Sequence, residues 1–580
     1  MGVKGLWSYV EHHHIQYAYP NKNARADCYG VNPRHLLIDM NAVLHVAYDA
    51  SAPTTAATLR AVAAKVDELL SKVRPHDTLT LVYDGVAPLA KLKTQKERRH
   101  SLSVHPPRPA TSAVGGGSSR RVSHGAVSVS PWYTCDPVRG EVPLHREEIT
   151  CGAEFVLACE EYVTAHLQRQ RAQHSWSTLS VCGCREPGEG EVKIASLVRW
   201  LWARTAADGT YSPDDAVTLV GNDSDLALVA MVSVAYSYFT LIDPFDLSLT
   251  SLRELMDHWS QAVPNPPLPA ALLPSYRIDF VFLMLLSGDD YYDGIRGDSV
   301  ALWRRYRHLR ANEGFFRRAL VSGPHLGLDL ELLRAVLART GSMTAQLARV
   351  PRNKRKTTKA LLRGGGGGGG GSAKDGTELL KAALWGLRSY VCGRCPDFGF
   401  LAQQEGPPSV GSLRAAVQAR GLERRLACDA AGMTEHIFTP LEQCLAVLGI
   451  RGRFSVALNN AIRAATPDDG HTLTTSTSIS LVTETVKSIM AAVDTARLTE
   501  AERLLSRVQP VETGNAVSGV GEDGGAEDVW AFMRLAAVPP RTATAATTAD
   551  PPSSRVSESA SDAEDAVEDG EAHGADARAE

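Results

Sequence analysis

TLTLVYDGVAPLAKLKTQKERR, residues Thr78 to Arg99, holds two kinds of structure in one segment. Its opening residues, TLTLVYD, are apolar and β-branched without interruption, the composition of a strand buried on both faces. Gly85 and Pro88 break that run, and polar residues at helical spacing follow. Gln95, Arg98 and Arg99 lie four, seven and eight residues beyond Lys91, so the four share one helix face. A strand closed by Asp84 thus leads through a short loop into a basic helix. Such a face suits a phosphate, the arginines as planar forks and the lysine as a point charge. The ordinary alternative for this composition is a solvated charged helix.

The same pattern recurs outward from this segment. His35 to Asp39 (HLLID), Thr178 to Gly183 (TLSVCG), Ala216 to Gly221 (AVTLVG) and Tyr238 to Asp243 (YFTLID) read as further buried strands. Arg60 to Val73, Phe155 to Gln168, Glu191 to Arg204 and Asp279 to Leu286 read as helices between or after them. Alternation of this kind predicts an α/β fold: a mostly parallel central sheet with helices on both faces, followed by a helical C-terminal extension.

Carboxylates gather where that architecture binds ligands. Asp39, Asp84 and Asp243 close predicted strands, Asp223 and Asp225 follow one, and Glu189 and Glu191 sit at a strand-to-helix junction. Any one of them by itself reads more readily as a turn residue or helix cap. Together they fall at the carboxyl ends of the strands, the ligand-binding edge of an open α/β sheet. Crowding them there costs on the order of several kcal/mol unless cations neutralise them. Oxygen-only ligands favour Mg²⁺ or Mn²⁺ over zinc, and two such ions suit hydrolysis of a phosphodiester.

The bulk properties bound the remaining classes. The chain of 580 residues carries a net charge of −4, a balance that conceals local basic and acidic stretches. Its ten cysteines lack a disulfide framework, which predicts a reducing compartment. With no apolar run of membrane length and no secretory segment, the expected location is nucleus or cytoplasm, with no membrane partner. Periodicity is lost at about 101–130, over the glycines of 364–372, and over 512–580, which predicts a disordered insertion, a linker and a disordered acidic tail. The expected division is therefore an α/β core at 1–300 containing the insertion, helical segments at 301–363 and 373–511, the linker between them, and the tail. Arg352 to Lys356 (RNKRK) reads as a basic loop, a nuclear address or a nucleic-acid contact, and His12 to His14 as surface residues of a first helix.

Several of these segments together resemble the XRN family of 5′ to 3′ exoribonucleases, within the wider group that includes flap endonucleases. The matching stretches are MGVKGLW at the start, LLIDMNAVLH (Leu36 to His45), YDGVAPLAKLKTQKERR (Tyr83 to Arg99), ITCGAEF (Ile149 to Phe155), EPGEGEVKI (Glu186 to Ile194), GNDSDLALVA (Gly221 to Ala230) and IDFVFLMLLSGDDYYDGI (Ile278 to Ile295). The resemblance implies a PIN- or flap-nuclease-like core in which Asp39, Asp84, Glu189, Glu191, Asp223, Asp225 and Asp290 are catalytic and hold two Mg²⁺ or Mn²⁺ ions. It implies that Lys91, Gln95, Arg98 and Arg99 form a 5′-monophosphate pocket and that His45 stacks on the terminal base. Leu384 to Phe400 and Phe438 to Leu448 resemble the segment closing the XRN catalytic region, which favours single-stranded RNA with a 5′ monophosphate as partner. The Cys392-x-x-Cys395 pair falls where the family places packing residues, and no second pair follows at zinc-site spacing. The implied activity is stepwise hydrolysis to mononucleotides in RNA decay or processing. Two alternatives stand beside it: a flap-type 5′ DNA nuclease, supported by Gly294-Ile295-Arg296-Gly297, and a non-catalytic RNA-binding scaffold.

Overall fold

The computed structural model describes residues 31–104, 142–261, 269–338, 372–426 and 437–509 apart from short breaks, together with Val3, Leu6–His13 and Gln16–Tyr17. Most of the insertion, the glycine tract, the RNKRK segment and the acidic tail lie outside the described residues. The strands are β1 (Gln16–Tyr17), β2 (His35–Asp39), β3 (Thr78–Val82), β4 (Thr178–Cys182), β5 (Ala216–Val220), β6 (Tyr238–Ile242) and β7 (Leu249–Ser251). The helices through the first part of the chain are α1 (Leu6–His13), α2 (Met40–Ala47), α3 (Thr55–Lys72), α4 (Leu89–Val104), α5 (Glu154–Gln170), α6 (Gly190–Ala207), α7 (Asp225–Val232), α8 (Leu252–Gln261) and α9 (Leu273–Leu285). There follow α10 (Ser299–Asn312), α11 (Leu330–Leu337), α12 (Ala373–Cys392), α13 (Val410–Gln418), α14 (Leu422–Leu426), α15 (Pro440–Leu448), α16 (Val456–Ala465), α17 (Ile479–Ala492) and α18 (Glu500–Leu505).

One sheet organises these elements, in the order β1-β7-β6-β5-β2-β3-β4. The five strands from β6 to β4 are parallel; β7 and β1 extend the β6 edge antiparallel. The chain moves from β2 outward through β3 and β4, then returns to the other side of β2 for β5 and β6. This reversal at the β2–β5 boundary is a topological switch point, and it opens a crevice at the carboxyl ends of the strands.

Alternate strand residues face two separate cores. Leu37, Val82, Val217, Leu219, Phe239 and Leu241 face a cluster built with α6, α7, α9 and α12. Leu36, Ile38, Leu79, Leu81, Val220 and Ile242 face another built with α2, α3, α5 and α15. The late helices are part of both: α12 supplies Leu379, Leu380, Leu384 and Leu387 to the first, while α15 and α17 supply Leu441, Leu445, Val482 and Val486 to the second. Each buried leucine contributes roughly 1.5–3 kcal/mol, so these helices are structural partners of the sheet.

Predicted strands and helices match observed ones closely, with informative differences at the ends. Helix α3 starts at Thr55, ahead of the expected Arg60, because Thr54 caps it by accepting from the Ala57 amide at 3.3 Å. Helix α9 begins at Leu273 with Pro274 in its first turn, where the missing amide costs nothing. Helix α15 starts with a capping box between Thr439 and Glu442. The cysteines of Cys392-x-x-Cys395 are free and half-buried, Cys392 packing against the first core. Among the described residues no metal-ligand group includes either.

Candidate active site

Asp39 and Asp84 leave neighbouring strands β2 and β3 and are tied to the start of α6. Asp39 caps α2, accepting from the Asn41 amide at 2.9 Å and the Ala42 amide at 3.4 Å. The Asn41 side-chain amide donates to Asp84, and the Gly190 amide donates to the other Asp84 oxygen at 2.7 Å. The α6 N-terminus therefore points amide donors and positive dipole at this rim.

The two most specific sequence motifs are two sides of one interlocked turn. Gly85 donates its amide to Gly188 and Gly188 donates to Val86, at 2.9 and 2.8 Å. The fit leaves no room for a side chain, since a Cβ on Gly85 would stand 1.6 Å from the Glu186 carbonyl oxygen. Buried Lys193 seals the junction, donating to the Tyr83 and Gly183 carbonyls at 2.8 Å each. Asn41 and Lys193, to which the sequence assigned no task, thus hold the rim together.

Glu191, Asp223 and Asp225 converge at the heart of the rim, one oxygen from each lying within 4.8 Å of the others. Asp225 accepts from the Val3 amide at 3.2 Å, which brings the N-terminal motif to the site. Burial, reinforced by Glu189, pushes the Glu191 carboxyl well above its usual range. Burial, reinforced by Asp223 and Asp289, does the same to Asp225. Asp39 is pushed up to about 8 by burial and by Asp84. Carboxylates so desolvated and so close want cations, and an all-oxygen set of this kind fits a hard divalent ion.

A different arrangement occupies the neighbouring corner. Glu189 takes the N-cap position of α6, and Lys91 reaches it at 2.9 Å while standing 3.2 Å from Asp290. The Lys91 ammonium lies 5.0 Å from the Tyr291 ring centre, and the Tyr291 hydroxyl donates to the other Glu189 oxygen. Burial opposes the charge on Lys91, but Glu189, Glu191 and Asp290 outweigh it and hold the ammonium charged. Tyr291 is braced by Trp385 edge-on at 5.2 Å, itself stacked on Phe400 at 5.0 Å.

The turn that presents Asp290 depends on two glycines. Gly288 has φ +74°, and a Cβ there would stand 2.2 Å from the Gly294 amide nitrogen. Thr94 of α4 holds the turn, donating to the Asp290 carbonyl at 2.8 Å. This turn also carries Asp289, which the sequence reading passed over. Its Oδ1 accepts from Tyr291 at 2.8 Å, its Oδ2 is buried without a hydrogen-bond partner, and burial pushes it up to about 7. The Asp289-Asp290 doublet was the available signal.

The predicted phosphate residues lie on α4, but they are not in equal states. Lys91 is held by the acids. Gln95 accepts from Gln443 of α15 at 3.2 Å, and the same Gln443 accepts from the Ala87 amide at 2.7 Å. Gln443 is a contributor the sequence reading did not single out, inside the late FTPLEQCLAVL segment. Arg98 and Arg99 belong to α4, with side chains outside the described ones. His45 lies half-buried in the last turn of α2. Asp243 is a turn residue, accepting from the Phe245 amide at 2.7 Å.

A switch-point crevice rimmed by carboxylates lies beside the helix that carries Lys91. Residues 1–243 match the model of the XRN 5′-3′ exonuclease N-terminus. Similar relatives are proteins named 5′-3′ exoribonuclease 2: that of Candida glabrata is 28% identical over 228 residues, 38% of this chain and 20% of the relative. That of Saccharomyces cerevisiae is 27% identical over 228 residues, 38% and 21%. That of Gallus gallus is 27% identical over 247 residues, 41% and 23%. These matches span about a fifth of the relatives' length.

Proposed function

We propose that the protein is a 5′ to 3′ exoribonuclease that removes mononucleotides from single-stranded RNA bearing a 5′ monophosphate, in RNA decay or processing. The observation that carries this reading is the convergence of Glu191, Asp223 and Asp225 within 4.8 Å, beside the Glu189 that pairs with Lys91 of α4. Asp39, Asp84, Glu189, Glu191, Asp223, Asp225 and Asp290 are the residues that would hold two divalent ions, Mg²⁺ or Mn²⁺. When bound, such ions neutralise the charge that builds on a phosphodiester during attack by water and lower the pKa of that water.

The chain's own groups supply the rest. Gln95, kept in place by Gln443, and the arginines Arg98 and Arg99 would receive the 5′ phosphate, which sets the distance from the chain end to the acidic rim. The pocket gives polarity a physical basis, because a 5′ hydroxyl lacks the charge that the forks engage. His45 would support the terminal base by stacking, which tolerates any sequence. The buried thiols Cys151, Cys159, Cys182 and Cys184, outside any disulfide, suit a reducing setting, nucleus or cytoplasm. No described helix is long and apolar enough to cross a membrane.

The test offers matched RNAs with 5′ monophosphate, hydroxyl and triphosphate ends, plus a 5′ flap DNA, in Mg²⁺ at equal salt. Mononucleotides released fastest from the monophosphorylated RNA are expected. Preferential cutting of the flap would move the protein to the DNA branch, and no product from any substrate would leave a binding scaffold.

A further inference from the structure

Lys91 belongs by sequence to the phosphate face of α4, yet its charge is engaged elsewhere. It is 6% exposed, and its ammonium contacts Glu189 at 2.9 Å and Asp290 at 3.2 Å over the face of Tyr291. An ammonium enclosed by two carboxylates and an aromatic face has little left to give a phosphate. Gln95, one helical turn along, points into a different set of contacts with α15. The lysine and the glutamine are therefore committed to different partners along the same helix face.

We propose that Lys91 is the internal counter-ion of the acidic rim, and that divalent metal displaces it toward the phosphate pocket, coupling metal loading to capture of a phosphorylated end. This rests on the functional reading above. Glu189 and Asp290 are oxygens that both the ammonium and a metal ion would use, and two cations cannot share them without strong repulsion. Lysine suits the exchange, being a compact charge on a flexible stem. Glu189 stays in place when the lysine leaves, because the Tyr291 hydroxyl holds its second oxygen and Trp385 and Phe400 brace the ring. Coupling of this kind is reciprocal: metal strengthens binding of the phosphorylated end, and the phosphorylated end strengthens binding of metal.

The experiment uses the full chain, wild type and with Lys91→Gln or Lys91→Arg. Mn²⁺ binding is measured by calorimetry, and folding of each variant by circular dichroism in EDTA. Glutamine removes the competing charge and arginine keeps it on a fork that grips carboxylates more firmly. The expected order of Mn²⁺ affinity is therefore Gln above Lys above Arg, with the glutamine variant roughly tenfold tighter than wild type. If Lys91→Gln fails to fold without metal, the comparison of arginine with lysine still decides the matter. A second arm measures binding of phosphorothioate RNA with a 5′ phosphate or 5′ hydroxyl, in EDTA and in Mn²⁺. Metal should raise the wild-type preference for the phosphorylated end roughly tenfold, and this gain should vanish in both variants. Equal Mn²⁺ affinity across the three proteins, or an undiminished metal-induced gain in the variants, overturns the proposal. Absence of any 5′-phosphate preference in every condition would instead overturn the functional reading, while the Mn²⁺ order still judges the counter-ion.

Discussion

Two corners of one acidic rim solve the same electrostatic problem in different ways. At Glu189 and Asp290 an ammonium from Lys91 neutralises the carboxylates, and Tyr291 satisfies an oxygen that remains. At Glu191, Asp223 and Asp225 no lysine or arginine among the described residues forms an ion pair, and burial leaves Glu191 and Asp225 with strongly raised pKa values. The difference separates a corner neutralised by the chain's own ammonium from one whose crowded carboxylates could hold a metal ion. A protein keeps an uncompensated buried cluster at a cost to its own stability when the cluster serves a ligand.

The largest effect should come from breaking the uncompensated corner. Asp223→Ala combined with Asp225→Ala should lower the cleavage rate at least about a thousandfold, since metal stabilisation of a transition state is worth several kcal/mol. Steady-state release of mononucleotides in Mg²⁺ checks this; an active double variant would sink the metal assignment. Overall folding should survive, because the substitutions relieve like-charge crowding.

A smaller effect sharpens the contrast through pH. Asp39 and Asp289, pushed up to about 8 and about 7, hold protons in the folded, metal-free protein that they release when unfolded. A raised folded pKa favours the folded state at low pH and loses that contribution as pH rises through the folded value. In EDTA the melting temperature should therefore fall between pH 6 and pH 8.5, by the equivalent of up to about 4 kcal/mol. Saturating Mn²⁺ should flatten or reverse the slope, because it binds the ionised form. A metal-free profile that is flat over this range contradicts the burial of these acids.

The smallest effect tests the support behind the phosphate face. Gln443→Ala removes the donor to Gln95 and the acceptor of the Ala87 amide. Each such hydrogen bond is worth about 1 kcal/mol. The preference for a 5′ phosphate over a 5′ hydroxyl should drop several-fold, read as the ratio of kcat/KM, with kcat on the phosphorylated RNA little changed. An unaltered ratio would mean that Gln95 does not need this partner.

Much of the frame was legible in residue order. TLTLVYD, HLLID and AVTLVG announce themselves because parallel strands buried on both faces are continuous apolar runs, and each ends at an acid or two residues before one. Thr54 shifted the start of α3, since a cap is set by local hydrogen bonding that apolar periodicity does not register. Asp289 was passed over because two adjacent aspartates differ only in the direction the Gly288–Gly294 turn gives each side chain.

By itself the sequence determined the α/β alternation, the acids at strand ends and the basic spacing after Asp84, all of which depend on neighbours within a few residues. Only the tertiary structure decided which charges meet. Lys91 and Glu189 are far apart in the chain, and it takes the interlock of the Asp84 and Gly188 loops to bring a predicted phosphate ligand against a carboxylate of the acidic rim. Likewise Gln443 reaches Gln95 only because α15 is folded back over the sheet to bury its leucines. Pairing energies fall off steeply with distance, so they are settled by packing, which no local pattern of residues encodes.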